Sequence, residues 1–229
     1  MQVMLSAGFI ILTVGIYLIC RYLYFRYNHP LINIVLLSAA VIIAILVVGK
    51  QDYAAYTPAK DVMTFLLGPA TVALAVPLYR NRHLLKQYGI AIFTGVGLGT
   101  LVSMASVLFI TQIGGLSREI IVSIIPKSST VPFAVEVAAL AGGNPALAVA
   151  FVVATGTFGS VIGLSLLSRF KIYNPVARGL AMGTVSHGQG TAMALLEGEQ
   201  PGAMAGVAMA LAGIFTSVLA PVLIALFVG

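Results

Sequence analysis

The stretch from Ile120 to Ala141 decides the fold, and it reads I-I-V-S-I-I-P-K-S-S-T-V-P-F-A-V-E-V-A-A-L-A. It is apolar enough to lie in a lipid bilayer, but Pro126 interrupts it. Proline lacks an amide hydrogen and clashes with the preceding helical turn, so we expect two half-helices that meet at an unwound Lys127-Ser128-Ser129-Thr130. Irregular backbone at membrane depth is tolerated only where protein buries it or where it lines a watery cavity. The break is therefore a candidate site.

Composition places the whole chain in a membrane. Of its 229 residues, 60% are hydrophobic and 8% are charged, whereas about 25% of the residues of a soluble domain are charged. Apolar runs of about 20 residues, enough to span a bilayer as a helix, recur along it, and the alternation of a β-barrel is missing. We predict an all-α polytopic membrane protein. The net charge of +6 is divided among short loops and does not indicate nucleic-acid binding.

The distribution of charge predicts how the chain crosses the membrane. If the broken segment crossed, the basic turns at 80–86 and 169–171 would lie on opposite sides. If it enters and returns, both turns lie inside, as the positive-inside rule requires. We therefore predict seven transmembrane helices plus one re-entrant broken hairpin, with the N-terminus outside and the C-terminus inside. The predicted spans are 3–24, 31–48, 62–79, 89–110, 146–167, 176–196 and 202–227.

A weak internal repeat supports this topology. Residues 68–75 (GPATVALA) resemble residues 188–195 (GQGTAMAL), and GLGT at 97–100 matches GIFT at 213–216. The paired spans would run in opposite directions, and inverted repeats with interrupted helices place a transport site near the bilayer midplane. We treat 1–229 as a single domain with repeat-like halves at about 31–112 and 117–228.

The leading candidate site is an anion cradle at the break, made of Lys127, Ser128, Ser129 and Thr130. Helix N-termini offer free amide hydrogens and a partial positive charge, and the lysine adds a full charge. An ionisable residue at membrane depth is a functional hypothesis by default. The alternative is that Lys127 pairs with Glu136 or a backbone carbonyl and only fixes the packing. Glu136 is then either that ion-pair partner or an acceptor of a coupling proton.

The Gly-rich break around His187 is the second candidate. The imidazole is suited to hydrogen-bond a carboxylate or to relay a coupling proton near neutral pH. The alternative is a structural histidine bonded to a carbonyl that Gly188 and Gly190 leave free. The polar neighbours Ser186, Gln189 and Thr191 share this break and the same two interpretations.

Weaker candidates lie elsewhere in the spans. Pro69 and Thr71 occupy the position that the repeat relates to the His187 break, although Pro69 alone is enough to kink a helix. Asn33 is a candidate ligand or a helix-to-helix hydrogen bond. Arg178, at the inner end of a span, is interpreted as a snorkelling anchor. The glycines at 156, 159 and 163 allow close approach of helices.

Enzyme chemistry is not expected. Ser186, His187 and Glu136 would be the members of a hydrolase triad, but adjacent serine and histidine do not easily give the nucleophile–base geometry, and a nucleophile elbow is missing. The three scattered histidines do not form a metal site, and the sequence carries no nucleotide-binding fingerprint. We expect neither a cofactor nor a metal.

Four motifs together resemble the LrgB/CidB family, which includes the LrgB-like half of the plastid glycolate/glycerate translocator. They are LGPATVALAVPLY at 67–79, PKSSTVP at 126–132, ARGLAMG at 177–183 and SHGQGTA at 186–192. They occur in the family's order in a chain of the family's length.

The resemblance implies a multi-pass protein of the cytoplasmic (inner) membrane that acts with a small LrgA/CidA-type holin-like partner. Family members are described both as modulators of murein hydrolase activity and autolysis and as carriers of small monocarboxylates such as pyruvate, glycolate or glycerate. The broken, charged segment favours the carrier, because a lytic pore needs no midplane site. We expect a small carboxylate substrate, contact with membrane lipid and a homo-oligomer, as a dimer.

Overall fold

The computed structural model describes residues 2–27, 34–66, 69, 72, 79–80 and 82–228, and these contain helices and turns but no strand. Four helices in this part are long and apolar enough to cross a membrane: Ser6–Tyr27, Lys86–Ile113, Pro145–Arg169 and Glu199–Phe227. The predicted all-α membrane fold is confirmed. The chain forms two compact units, residues 1–75 and 76–229, and each is described by itself.

The first unit contains α1 (Gln2–Tyr27), α2 (Ile34–Val48) and α3 (Tyr53–Phe65). The first helix packs against the other two. Its Thr13 hydroxyl lies 3.0 Å from the Tyr56 hydroxyl, and the rings of Phe9 and Tyr56 meet edge-on with their centroids 5.5 Å apart. These contacts hold α3 against α1.

The start of α3 lies inside the stretch 50–61 that the sequence indicates as a polar link. The Asp52 carboxylate accepts a hydrogen bond from the Ala54 amide at 3.2 Å, which satisfies one of the free donors at a helix start. Much of the predicted span 62–79 lies outside the described residues, as do Asn33 and Thr71. Pro69 is exposed. The repeat predicted at 68–75 therefore stays a prediction.

The second unit is organised around two parallel helices, the first and last of its elements. Val96 shares an apolar cluster with Ala212, and two turns further on Met104 shares another with Ala220. Both helices therefore advance in the same direction. The predicted inverted repeat, which pairs 97–100 in the first of these helices with 213–216 in the last, required opposite directions, so this pairing is wrong. The elements of this unit are α4 (Arg82–Ile113), α5 (Arg118–Ile124), a 3-10 turn (Ile125–Ser128), α6 (Val131–Leu140), α7 (Pro145–Arg169), α8 (Pro175–Glu197) and α9 (Glu199–Phe227).

The predicted re-entrant hairpin is present as α5, the 3-10 turn and α6, which we call the first hairpin. Its two ends meet, because Arg118 donates to the Ala141 carbonyl at 3.4 Å and Asn144 donates to the Glu119 carboxylate at 3.1 Å. With 10 residues, α6 is about 15 Å long, half of the roughly 30 Å hydrocarbon core. The segment therefore enters to mid-depth and returns.

The segment 175–197, predicted to cross the membrane, instead doubles back at His187 and forms a second hairpin. Arg178 near its start binds Glu197 at its end, at 2.8 Å between Nε and Oε2, although the two residues are 19 positions apart. A straight helix would separate them by about 28 Å, beyond the reach of both side chains. The second hairpin comprises two half-helices, α8a (175–186) and α8b (188–197). The backbone angles leave the helical region at His187, and Gly190 lets the two arms meet, because a Cβ atom there would overlap the Met182 carbonyl oxygen.

This reversal changes the side on which the chain ends. The exposed pair Arg80–Glu199, at 3.9 Å, places the starts of α4 and α9 together at what we call the Arg80 end. Gln112 donates to the Phe227 carbonyl at 3.1 Å, which places their ends together at the opposite, Gln112 end. The C-terminus therefore lies opposite the basic turn at Arg80, whereas seven crossings had placed it on the same side. The first hairpin enters from the Gln112 end, and the second enters from the Arg80 end.

Labelling of single cysteines tests this topology. In a Cys20→Ser background, Tyr173→Cys and Glu199→Cys flank the second hairpin and should react with a membrane-impermeant maleimide from the same side. Gln112→Cys should react from the other side. The measurement compares intact spheroplasts with inverted vesicles. Reaction of the Tyr173 and Glu199 positions from opposite sides would show that α8 crosses after all.

Candidate functional site

The tips of the two hairpins meet inside the second unit after entering from opposite ends. The 3-10 turn of the first hairpin contacts α8, and Lys127 and Ser186, one from each tip, line the same cavity of about 680 Å³. The rest of this cavity is lined by α7 and α8a. Opposed broken helices that meet at mid-depth are how many secondary transporters build a binding site.

Lys127 projects from the first tip toward α4. Its ammonium donates to the hydroxyls of Ser103 at 3.1 Å and Ser128 at 3.3 Å, and these two hydroxyls lie 2.8 Å apart. Within the described part of the chain, the ion pairs involve other residues, so the alternative of a Lys127–Glu136 pair is not what the structure shows. An ammonium has three donors, and two of them are used here. The described residues thus offer this ammonium two neutral hydroxyls and no carboxylate.

The other two residues of the predicted cradle shape the break. The Ser129 hydroxyl donates to the Pro126 carbonyl at 2.8 Å, so this buried side chain closes the turn on its own backbone. Ser129 and Thr130 are both extended, and α6 starts directly after them with Pro132 in its first turn. The unwound segment is therefore Ser129-Thr130, and it starts two residues later than predicted. Lys127 and Ser128 belong to the 3-10 turn.

Ser186, from the second tip, faces α7 across a very short gap. A Cβ atom at Gly159 would overlap the Ser186 hydroxyl, and one at Gly156 would overlap the His187 ring. The predicted close approach at these glycines is confirmed, and it is what lets the second tip reach the cavity. Thr155 and Phe158 of α7 also line the cavity. Neither they nor Ser103 carries a sequence signal that separates it from ordinary small or apolar helix residues.

His187 occupies the turn of the second hairpin in an unusual backbone conformation, with φ 40° and ψ −125°. This region corresponds to the first central position of a type II′ turn, which favours glycine, and such strain costs about 1–3 kcal/mol. The ring is buried, and its Nε2 atom lies 3.0 Å from the Val152 carbonyl. Because a carbonyl oxygen only accepts, Nε2 donates. The interpretation as a structural histidine fits this contact, but the carbonyl belongs to α7.

The remaining candidates are divided between the two tips and a separate groove. Thr191 donates to the His187 carbonyl at 2.8 Å, and the buried Gln189 Oε1 has no hydrogen-bond partner in the described residues. Glu136 is exposed and lines another cavity of about 590 Å³ with Ser217 and Pro221. The structure thus brings Lys127, Ser128 and Ser186 together and places Glu136 elsewhere.

Arg178 holds the base of the second hairpin closed and is not a snorkelling anchor. Its guanidinium binds both carboxylate oxygens of Glu197. It also donates to the Ile172 carbonyl at 2.9 Å, the Ser168 hydroxyl at 3.2 Å and the Leu164 carbonyl at 3.3 Å. Both arms of the hairpin and the end of α7 are therefore joined at one side chain, which is 8% exposed. The sequence offered no signal for this role, because the partner lies beyond the reversal at His187.

Arg178→Ala should destabilise the protein, because it removes the guanidinium from the Glu197 carboxylate and from the Ile172 carbonyl. The pair is partly buried, with the Glu197 side chain 28% exposed, and a hydrogen bond to a charged group contributes about 1.5–3 kcal/mol. Arg178→Lys should recover only part of this loss, since lysine lacks the bidentate fork. Thermal unfolding of the purified protein measures both.

The matched control is Arg80→Ala. Its pair with Glu199 is long and exposed, and such pairs contribute about 0–1 kcal/mol. An Arg178→Ala variant as stable as Arg80→Ala would contradict the proposed role of Arg178.

Comparison with known proteins gives one family. The model of the LrgB-like family matches residues 13–226. Holin-like protein CidB of Staphylococcus epidermidis is 36% identical over 95% of both chains, and the Staphylococcus aureus protein of the same name is 34% identical over the same share. Uncharacterized protein YxaC of Bacillus subtilis is 35% identical over 99% of this chain and 98% of its own. No solved structure matches.

Proposed function

This chain belongs to the LrgB-like family, and we propose that it is a secondary transporter of small monocarboxylates of the pyruvate, glycolate or glycerate type. The observation that carries the proposal is Lys127, whose ammonium has no carboxylate partner in the described chain and lies at a hairpin tip beside a cavity shared with Ser186. The protein would move its solute without transforming it chemically.

An anion at this point would complete the electrostatics of the site. A charged side chain at membrane depth is costly unless it is paired, and a carboxylate bound to a lysine makes a charge-assisted hydrogen bond, about twice as strong as a neutral one. The hydroxyls of Ser103 and Ser128 already orient the ammonium.

The cavity also offers the solute a route from the hairpin tips toward one end of the protein. Its lining follows α7 from Ala154 to Leu167, that is, from the tips toward the Arg80 end. The basic residues concentrated there, Arg80, Arg82, Lys86, Arg169 and Lys171, favour a cytoplasmic location for this end. We therefore place the open side of the site in the cytoplasm, with the first hairpin closing the other side. Movement of one hairpin against the other would alternate the access.

Proton coupling through His187 or Glu136 stays a prediction. His187 is held by Val152, and Glu136 lines the separate groove, so neither contacts Lys127 directly. Uptake into vesicles that is indifferent to an imposed pH gradient would remove both residues from this role.

The names of the relatives support a second candidate. Two of them are called holin-like, which favours a membrane subunit that acts with a small LrgA/CidA-type protein and modulates murein hydrolase activity and autolysis without transporting a solute. On this view Lys127 contributes to assembly. Lys127→Ala should then alter complex formation, and neither the wild type nor the variant should show solute flux.

Counterflow of radiolabelled pyruvate, glycolate and glycerate in proteoliposomes tests the carrier. Lys127→Ala should lower exchange at least tenfold, because it removes a charge-assisted hydrogen bond of about 1.5–3 kcal/mol. Lys86→Ala, an exposed lysine at the Arg80 end, is the matched control and should exchange like the wild type. Size-exclusion profiles confirm that both variants are folded.

One result of this experiment would contradict the transport proposal. If the folded wild type exchanges none of the three acids, alone or co-reconstituted with an LrgA-type chain, the transport proposal fails and the holin-associated subunit is favoured.

A further inference from the structure

Thr100 of α4 has a buried hydroxyl with no hydrogen-bond partner in the described part of the chain, although its residue is only 2% exposed. Other threonines on these helices donate to the carbonyl one turn back. Thr94 does so at 2.8 Å, Thr111 at 2.7 Å and Thr184 at 2.7 Å. Thr100 does not, so its hydroxyl is not satisfied by its own helix. A buried polar group left without a partner is destabilising, so this hydroxyl is expected to bind a group from outside its own helix.

The helix α4 contacts both hairpins at the level of Thr100. Its neighbour Gly99 lies against the methyl group of Thr184 in α8a, since a Cβ atom there would be 3.2 Å away. One turn further along α4, Ser103 binds Ser128 and Lys127 of the first tip. At the level of Thr100, α4 therefore contacts α8a through Gly99 and the first tip through Ser103.

A second buried hydroxyl lies at the same level on α9. Val96 and Ala212 share one apolar cluster, and Met104 and Ala220 share the other. Residues four apart lie on the same face of a helix, so Thr100 and Thr216 lie between these two pairs on facing sides of α4 and α9. Thr216 is 1% exposed. A polar layer thus separates two apolar clusters.

The electrostatics of this layer favour a cation. α8a ends at the tip, so its unpaired carbonyls carry the partial negative charge of a helix C-terminus. In carriers with broken helices, unwound carbonyls and half-helix C-terminal ends coordinate Na⁺. Threonine hydroxyls and backbone carbonyls are hard oxygen donors. An anion, by contrast, is served by Lys127 and by the helix starts after the breaks.

We propose that Na⁺ binds between Thr100 and Thr216, where the carbonyl end of α8a approaches α4. The ion would satisfy the orphan hydroxyl and would join α4, α9 and the second hairpin.

Because this site lies near Lys127, Na⁺ binding could be coupled to carboxylate binding. This coupling rests on the proposed function. One turn separates Thr100 from Ser103, which binds the Lys127 ammonium, so the bare lysine repels a nearby cation. A carboxylate on Lys127 would cancel this repulsion. Each ligand would then tighten the binding of the other by the same factor.

Thermal unfolding of the purified protein without any carboxylate tests the site itself. At constant ionic strength, NaCl should raise the melting temperature saturably by roughly 2–4 °C or more over KCl or N-methylglucamine chloride. Thr100→Val, which removes the hydroxyl and keeps the shape, should abolish this shift. In KCl it should be at least as stable as the wild type, because the orphan hydroxyl is gone. Thr216→Val should raise the midpoint Na⁺ concentration at least tenfold.

The matched control is Thr94→Val, on the same helix but exposed and bonded to its own backbone; it should keep the full Na⁺ shift. Equal melting temperatures in NaCl and KCl would overturn the proposal and indicate that water fills the site. A Thr100→Val variant that keeps the wild-type midpoint would overturn it as well.

A separate arm distinguishes this proposal from the function on which its coupling depends. Added pyruvate should lower the Na⁺ midpoint of the wild type and leave that of Lys127→Ala unchanged. A Na⁺ shift without any effect of pyruvate supports the cation site and overturns only the coupling. Counterflow without a Na⁺-dependent change of melting temperature supports the carrier and overturns the cation site.

Discussion

The constraint on which this structure depends is that no backbone polar group can face hydrocarbon without a partner. Each of the two breaks frees several amides and carbonyls, so each must be enclosed by protein. The fold meets this requirement by bringing both hairpins to mid-depth from opposite ends and surrounding their tips with α4, α7 and α9. The helices around the tips must approach closely to enclose them. Gly159 permits this where Ser186 packs against α7, because it has no side chain. The cavity beside Lys127 is therefore a consequence of how the breaks are protected.

The two hairpins are closed at their bases by different means, and this difference suggests which of them moves. The first base is held by single hydrogen bonds, among them that of Asn144 to the Glu119 carboxylate at 3.1 Å. The Asn144 side chain also caps α7 through the Ala146 amide at 3.0 Å, and its backbone amide donates to Ser123 at 2.8 Å. The second base depends on Arg178 and Glu197. A bidentate ion pair is stronger than single hydrogen bonds, and Arg178 also binds the end of α7, so the second hairpin is joined more firmly to α7. We infer that α7 and the second hairpin act as one body against the first tip.

The first break could be predicted from the sequence because its signal is local. Pro126, the polar run after it and the charge of the flanking turns suffice to indicate a re-entrant hairpin. The second break carried the same kind of signal at His187 and the glycines around it, but whether a Gly-rich break kinks a span or reverses it depends on the distant pairing of Arg178 with Glu197, which periodicity does not reveal. Lys127, Ser128 and Ser186 could be named as candidates, because polar residues at a break are conspicuous. Ser103 and Thr100 could not, since a lone hydroxyl in an apolar helix usually binds its own backbone.

A hairpin that stops at mid-depth presents one helix end and one helix start at the same point. The tip of the first hairpin places the end of the 3-10 turn beside the start of α6, and the tip of the second places the end of α8a beside the start of α8b. Helix starts carry partial positive charge and helix ends partial negative charge. Two such tips meeting head to head can therefore serve an anion and a cation in adjacent positions, before any charged side chain is added. Lys127 biases one of these positions toward the anion. Because Thr100 lies a single turn of α4 from Ser103, which binds Lys127, the other position is close enough to respond when that anion binds.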